Sequence, residues 1–404
     1  MTLRSALAVS LVLVGLAAPS AAAVTGEMRT LYVLATWGPE PFSNDDLLRV
    51  GQETDAFYRA SSGGRFSMPP SVAGPVQLPR QVFSNCDATS LRVAMPASMF
   101  TPYERITFVT PLVDGCPFFG EANPTEVLLN GRLFRALAAH ELGHTLSLGH
   151  ASRWTCNRRC TIDEYGNAFS VMGGGDGDLN AWEKSALGWL GAIARPRPNG
   201  THELGPVEGP TMLPQALVVT TAASEFWFES RGLATASFTG DAVQPAGIAV
   251  LAGPAAGGEL SAYPRANLLL PNPAGGGRYA YGPGETFVRP GIFRVTVERH
   301  ALASAALRFE WLDRIGPGRP RLRVRTTPGR VRLSWDAARE RGSGIDSYTV
   351  VIDGRGVRRF RSDIELTTWT AAFRVARGFH RVGVYATDRA GNRGRLVSTR
   401  IRIR

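Results

Sequence analysis

Residues 140–150 read His-Glu-Leu-Gly-His-Thr-Leu-Ser-Leu-Gly-His, and this stretch holds three of the six histidines of the chain. On an α-helix, side chains four residues apart lie on one face, so His140 and His144 can bind the same metal ion. Glu141 lies beside the first of them, where a carboxylate can act as a general base. His150 would lie about 9 Å further along a continuing helix. The chain must therefore turn back before His150 if all three imidazoles share one ion.

The neighbouring residues predict that the first two histidines lie on a helix. Apolar residues recur at three- and four-residue steps over residues 132–146, without a proline. Residues 126–130 just before it predict a short strand, and Asn130-Gly131 a turn into the helix. The alternative is an amphipathic helix whose histidines are hydrogen-bonded in a core. Because chance would produce all four residues at this spacing in about one chain in ten thousand, we favour metal binding.

Together with a second motif, this stretch resembles the metzincin zinc peptidases. The pattern His140-Glu141-x-x-His144-x-x-Ser147-x-x-His150 is similar to their signature, and Ser170-Val171-Met172-Gly173 is similar to the methionine turn beneath their metal. Residues 179–181 and 187–190 resemble the helix that follows this turn in gametolysin-like members. The resemblance implies an extracellular endopeptidase with one Zn²⁺ per chain, bound by His140, His144 and His150. It further implies Glu141 as the catalytic base and Met172 as structural support.

Two positions depart from the family pattern. Ser147 stands where the family usually has glycine, which lets the chain leave the helix with positive φ; a residue with a Cβ pays roughly 1 kcal/mol there. Either Ser147 carries this strain or Gly149 shares the turn. Gly174 stands where several metzincins have a tyrosine, two residues after the methionine, so that donor to the reaction's oxyanion is absent. Tyr165 is a candidate replacement.

The first 23 residues predict a cleavable secretory signal peptide. Arg4 precedes the apolar run Ala6–Ala18, and small residues follow it at positions 19–23. A membrane anchor is the alternative, but the run is too short to span a bilayer, and no later stretch reaches that length. We therefore expect a secreted, extracellular protein without a transmembrane anchor.

Four cysteines, an even number, suggest two disulfides in an exported chain. Cys86, Cys116, Cys156 and Cys160 allow three pairings. We favour Cys86–Cys116 and Cys156–Cys160, because the second pair brackets a short loop between the third histidine and the methionine turn. A second metal site is the alternative for Cys156 and Cys160, but no further cysteine pair exists to complete it.

The pattern of predicted elements indicates a multidomain protein, with an α/β domain followed by two β-sandwich domains. The resemblance implies that the α/β domain is a metzincin-like zinc peptidase domain. The expected domains are 24–196, 197–314 and 315–404, after the signal peptide 1–23. The first contains predicted strands at 29–36, 65–68 and 105–110 and a capped helix at 47–60. Short strands between Gly/Pro turns characterise the second. The third alternates apolar and polar residues, and Trp335 and Tyr348 resemble core aromatics of fibronectin type III or immunoglobulin-like modules.

Basic charge is concentrated in the third domain. From Gly316 onward the chain has 21 arginines against seven acidic residues, a net charge of +14, whereas the whole chain carries +11. Such a module attracts anionic polymers, including those of cell surfaces. It lacks the clustered aromatics expected of a single-strand binder, so we infer no nucleic-acid function.

Two functions from different classes follow. The first is a secreted zinc endopeptidase acting on protein or peptide substrates of the cell exterior or wall. The second is a surface-binding or adhesion protein whose peptidase domain holds zinc but turns over poorly, which Ser147 and Gly174 favour. Retention of Glu141 beside a complete ligand set favours the first, because a purely structural site needs no general base.

Overall fold

The computed structural model describes residues 23–83, 86–156, 160–196, 199–236, 243–254, 267–269, 278–362 and 367–404. The predicted signal peptide therefore lies outside the described residues, apart from Ala23. Over these ranges the protein is multidomain and mostly β, with few helices. The described helices are α1 (Asn44–Ser61), α2 (Ala88–Val93), α3 (Arg135–Thr145) and α4 (Ala181–Ala186).

The N-terminal region is built on a five-stranded sheet. Its strands and a short neighbouring pair are β1 (Gly26–Glu27), β2 (Thr30–Thr36), β3 (Phe66–Ser67), β4 (Pro70–Gln77), β5 (Arg105–Thr110), β6 (Gly120–Ala122) and β7 (Glu126–Asn130). The order is β4-β2-β5-β7-β6, and only β6, at the edge, runs antiparallel to its neighbour. Every residue of β2 is buried, as expected for a parallel strand covered on both faces. One covering layer contains α1 and α3, and the other contains α2.

The helix starts differ from the sequence predictions. In α1 the cap is Ser43, whose side chain accepts from Asp46 N while its own N–H donates to the Asp46 carboxylate, a reciprocal capping box. The prediction that α3 begins near residue 132 was wrong. Gly131 has φ +67 and Phe134 is extended, so the chain turns before entering the helix at Arg135, and Leu133 and Phe134 pack on the core from the connection.

The middle region contains two large sheets that face each other across one core and a separate pair of two-residue strands. Its strands are β8 (Arg153–Cys156), β9 (Cys160–Asp163), β10 (Ile193–Ala194), β11 (Gly200–Leu204), β12 (Ala216–Thr220), β13 (Ser224–Arg231), β14 (Thr235–Ala236), β15 (Val243–Gln244), β16 (Gly247–Pro254), β17 (Asn267–Leu269), β18 (Thr286–Arg289), β19 (Phe293–His300) and β20 (Ala305–Trp311). One sheet has the order β10-β12-β13-β16-β17-β8-β9, the other β11-β20-β19-β18. The first sheet includes a hairpin, β8–β9, from the segment before the predicted domain boundary at 196/197.

The C-terminal region also has two sheets around a core of its own. Its strands are β21 (Leu322–Thr327), β22 (Arg330–Asp336), β23 (Ile345–Ile352), β24 (Arg355–Arg361), β25 (Thr368–Arg374), β26 (Gly378–Asp388) and β27 (Val397–Ile403). They form the sheets β21-β22-β25 and β24-β23-β26-β27. Trp335 and Tyr348 are both fully buried, with ring centroids 6.0 Å apart, so the two predicted core aromatics lie in this core.

The structure describes one of the two predicted disulfides. A disulfide joins Cys86 to Cys116, with Cα atoms 5.6 Å apart. Cys156 and Cys160 are backbone neighbours across β8 and β9, but their side chains lie outside the described residues, so that pairing stays a prediction. None of the described helices combines the length and apolar character that crossing a membrane requires.

Candidate metal centre

The three histidines of the opening stretch converge at the end of α3. His140 and His144 project from the same face of this helix, and their ring centroids lie 4.8 Å apart. The His150 ring lies 5.3 Å from that of His140 and 4.9 Å from that of His144. One ring nitrogen from each residue lies within 4.8 Å of the other two. The three side chains could therefore hold one metal ion.

A sharp turn at Ser147 brings His150 back to the helix. Ser147 has φ +66, its N–H donates to His144 O, and the N–H of Leu148 donates to Gly143 O. This pair of hydrogen bonds is a Schellman motif with serine, rather than glycine, at the left-handed position. Gly149 is not among the described residues with positive φ. The backbone strain of positive φ, expected at Ser147 unless Gly149 shared the turn, therefore lies at Ser147.

Each imidazole is oriented by a hydrogen bond to its Nδ1 atom. The acceptors and distances are Val171 O for His140, 2.8 Å; Leu148 O for His144, 2.9 Å; and Glu164 Oε1 for His150, 2.8 Å. Carbonyl and carboxylate oxygens can only accept, so Nδ1 carries the proton in each ring and Nε2 presents a lone pair. Second partners of this kind fix tautomer and ring direction in metal-binding histidines.

Burial keeps the two helical imidazoles neutral. Loss of solvent, followed by the neighbouring histidines, lowers the pKa of His140 to about 3. Burial also lowers the pKa of His144. Only a neutral imidazole can coordinate a metal ion. These two imidazoles are thus in their metal-binding form at neutral pH, and a set of three imidazole nitrogen donors suits zinc.

Glu141 is buried against β6, the edge strand of the first sheet. It is 5% exposed, and a Cβ built on Gly120 of β6 would collide with its carboxylate. Burial, and secondly the charge of Glu121, raises the pKa of Glu141 to about 8. Glycine at position 120 therefore makes room for a desolvated carboxyl group one residue from a candidate ligand.

Met172 packs against α3 at Gly143. Its side chain is fully buried and fills the space beside Gly143, where any Cβ would collide with the Met172 sulfur. Its carbonyl accepts from Ala151 N at 2.7 Å, directly after His150. The methionine turn thus supports α3 from below, and through Val171 O it also orients His140.

Two further residues at the site come from one segment. Glu164 holds His150, and the Tyr165 ring lies 4.2 Å from the ring of His150 and 5.9 Å from that of His140. Tyr165 is the residue that the sequence offers in place of a tyrosine after Met172, and its ring lies against two candidate ligands. Glu164 was not predicted from the sequence, because an exposed acidic residue fourteen positions after His150 carries no local pattern that identifies its partner.

Comparison with known proteins gives only weak likenesses. No protein-family model and no curated protein matches the chain. Archaemetzincin from Methanopyrus kandleri matches at 20% identity over 40% of this chain and 94% of its own, TM-score 0.27. Fibronectin(III)-like modules of CbhA from Clostridium thermocellum match at 14% identity over 21% and 97%, TM-score 0.17. The spore cortex lytic enzyme SleM of Clostridium perfringens matches at 13% identity, TM-score 0.20, over 24% of this chain and a third (33%) of SleM.

Likenesses this weak carry no argument about function. The resemblance to gametolysin-like peptidases has no counterpart among these matches and stays a prediction from sequence. What the chain does has to be argued from the site itself.

Proposed function

We propose that this protein is a secreted zinc-dependent endopeptidase, with one Zn²⁺ per chain bound by His140, His144 and His150. The observation that carries the proposal is the placement of Glu141. The same helix that supplies two converging imidazoles also presents a buried carboxyl group at their side. The Cys86–Cys116 disulfide supports export, because disulfides persist in oxidising compartments.

The chemistry divides between the ion and the chain. Bound zinc supplies a Lewis acid and lowers the pKa of water to about 7. A bound divalent cation would favour the ionised form of Glu141. In that form Glu141 accepts a proton from the attacking water as the water oxygen bonds to the peptide carbonyl carbon. Glu141 then gives that proton to the leaving nitrogen as the C–N bond breaks. Tyr165, against the ligands, is our candidate for stabilising the negative charge that develops on the carbonyl oxygen.

The alternative, a zinc-holding adhesion protein with little turnover, is less well supported by the site. Ser147 favoured this alternative in the sequence analysis. In the structure, Ser147 forms the helix-ending turn that orients His144 and brings His150 back to the helix. Burying a carboxyl group costs free energy, and a site that only binds a metal ion does not need this group. Glu141 is buried beside the ligands nonetheless, which favours the catalytic function.

The test is a peptide-library cleavage profile of the full chain beside Glu141→Ala. The matched control is Glu53→Ala, which removes a half-exposed carboxylate from α1. We expect Glu141→Ala to lose cleavage by roughly 10²–10⁴-fold and Glu53→Ala to cleave as the parent does. Equal cleavage by all three proteins would reject the proposed role of Glu141.

We further propose that the C-terminal region binds anionic cell-surface polymers. On the outer face of its four-stranded sheet, Arg381 and Arg400 are cross-strand neighbours. The guanidinium groups of Arg400 and Arg402 lie over the exposed Phe379 ring, 4.6 and 5.5 Å from its centroid. A stacked guanidinium keeps its N–H edges available for carboxylate, sulfate or phosphate groups.

Binding of the full chain to an immobilised acidic polysaccharide tests this second proposal. It should weaken as ionic strength rises from about 0.1 to 1 M, because the Debye length falls from about 10 to 3 Å. Arg400→Ser/Arg402→Ser should weaken it more than Arg330→Ser/Arg332→Ser on the other sheet. Binding that is insensitive to salt, or equal in both double variants, would contradict an arginine-mediated contact at this face.

A further inference from the structure

The segment between the third histidine and the methionine turn belongs to a sheet of the middle region. Strand β8 begins three residues after His150, and β9 ends one residue before Glu164. β8 lies parallel to β17, with Arg153 opposite Leu268, and the Leu268 N–H donates to Ser152 O at 2.9 Å. The hairpin that flanks one candidate ligand is therefore the edge of a sheet whose other five strands come from residues 193–269.

Arg153 links this hairpin to the middle region through its side chain. Its guanidinium donates to Asp163 Oδ2 at 2.7 Å and to the Tyr279 hydroxyl at 2.5 Å, and it lies 5.1 Å from the centroid of the Tyr279 ring. Asp163 directly precedes Glu164, which accepts from His150 Nδ1. One continuous set of contacts thus runs from Tyr279 to His150.

The methionine-turn side of the site is attached to the same region by buried charges. Arg231 of β13 is fully buried, donates to Asp178 O at 3.0 Å and pairs with Glu229 at 2.7 Å. Glu229 in turn accepts from Ala181 N, the first residue of α4, at 2.6 Å. Breaking a buried ion pair of this kind is strongly destabilising. The segment that follows the methionine turn is therefore firmly attached to the middle region, to which the hairpin after His150 is also joined.

From these contacts we infer that the middle region completes the metal centre, with Arg153 and Tyr279 as positioning residues for His150. This inference rests on the proposed zinc site. His140 and His144 project from α3, and main-chain carbonyl groups orient their rings. The direction of the His150 ring instead depends on the side chain of Glu164 and hence on the hairpin. Loss of a partner that orients a ligand typically reduces metal affinity 10–100-fold. The middle region is accordingly part of the peptidase unit.

Two variants of the full chain test the inference. Tyr279→Phe removes the hydroxyl that accepts from Arg153 and keeps the ring, whereas Arg153→Gln removes both hydrogen bonds of the guanidinium and its contact with the Tyr279 ring. Tyr281→Phe, two residues away in the core of the middle region, is the control for the first. Arg294→Gln, which breaks the surface pair with Glu310, is the control for the second.

Zinc affinity is measured by competition with a chelator, and the absorption spectrum of the Co²⁺-loaded protein reports the ligand set without reference to activity. We expect Arg153→Gln to weaken zinc binding about 10-fold or more and Tyr279→Phe by less, both with altered Co²⁺ spectra and both controls unchanged. Unfolding with chelator present separates this from general instability: Tyr279→Phe and Tyr281→Phe should unfold alike.

The outcomes are distinguishable. If the parent protein binds one zinc and both test variants bind it with parental affinity and spectrum, the inference is overturned while the zinc site stands. If the parent protein binds no zinc, the proposed function fails and the inference fails with it. If the controls weaken binding as much as the test variants do, His150 has no special dependence on Arg153 and Tyr279, and the inference is again overturned.

Discussion

Replacing Ser147 with glycine should stabilise the protein, although it removes a side chain. Ser147 has φ +66 at the end of α3 and is exposed, so truncation sacrifices little packing. A left-handed conformation costs a residue with a Cβ about 1–2 kcal/mol. Glycine avoids this cost, but its greater freedom in the unfolded chain offsets about 0.5–1 kcal/mol. The expected net gain is about 0.5–1 kcal/mol.

The assay is urea unfolding of the full chain with a chelator present, so that bound metal adds nothing to stability. Ser147→Ala, which keeps the Cβ, should leave the unfolding midpoint nearly unchanged. Ser147→Val should lower it, because a β-branched side chain fits positive φ poorly. A clear loss of stability in Ser147→Gly, or a Val variant as stable as the parent, would refute the assignment of the strain to this residue.

Three further predictions concern the base, the C-terminal region and the metal. Gly120→Ala should displace Glu141 and reduce cleavage at least 10-fold with zinc retained, whereas Gly38→Ala, in open space, should cleave normally. Burial raises the pKa of Asp388 to about 6. Between about pH 4 and 6, Asp388 therefore keeps its proton in the folded protein and loses it in the unfolded chain. The free energy of unfolding should fall as pH rises through this range. Asp388→Asn should flatten this pH profile, measured by urea unfolding. Zinc at 100 times its Kd should add about 2.7 kcal/mol to the unfolding free energy measured with chelator; no change would mean no specific site.

Sequence predicted best the strands that are buried on both faces. The apolar runs at 105–110 and 126–130 are β5 and β7 with the predicted bounds. β4 was missed because its residues, Pro70–Gln77, include two prolines and a glycine that disfavour strands. It lies at the edge of the sheet, where a proline costs no ladder hydrogen bond.

In the candidate site, the residues close together in sequence could be predicted, and the contacts between distant residues could not. Residues close in sequence, from His140 to His150 with Glu141 among them, could be identified because helix geometry fixes their neighbours. The positive φ of Ser147 was also predictable, since the third histidine requires a turn. The pairing of β8 with β17 was not, because it joins Arg153 to Leu268, residues far apart in sequence, through strands of four and three residues. The link from Tyr279 to His150 depends on that pairing.

In the proposed mechanism, a metal ion bound by three histidines and the carboxylate of Glu141 act together to hydrolyse peptide bonds. Its most direct test measures zinc content and peptide cleavage on the same preparations of the parent protein, Glu141→Ala and His150→Ala. We predict one zinc per chain and cleavage in the parent, zinc without cleavage in Glu141→Ala, and sharply weakened zinc binding in His150→Ala. Full cleavage by Glu141→Ala, or full zinc occupancy in His150→Ala, would contradict the account.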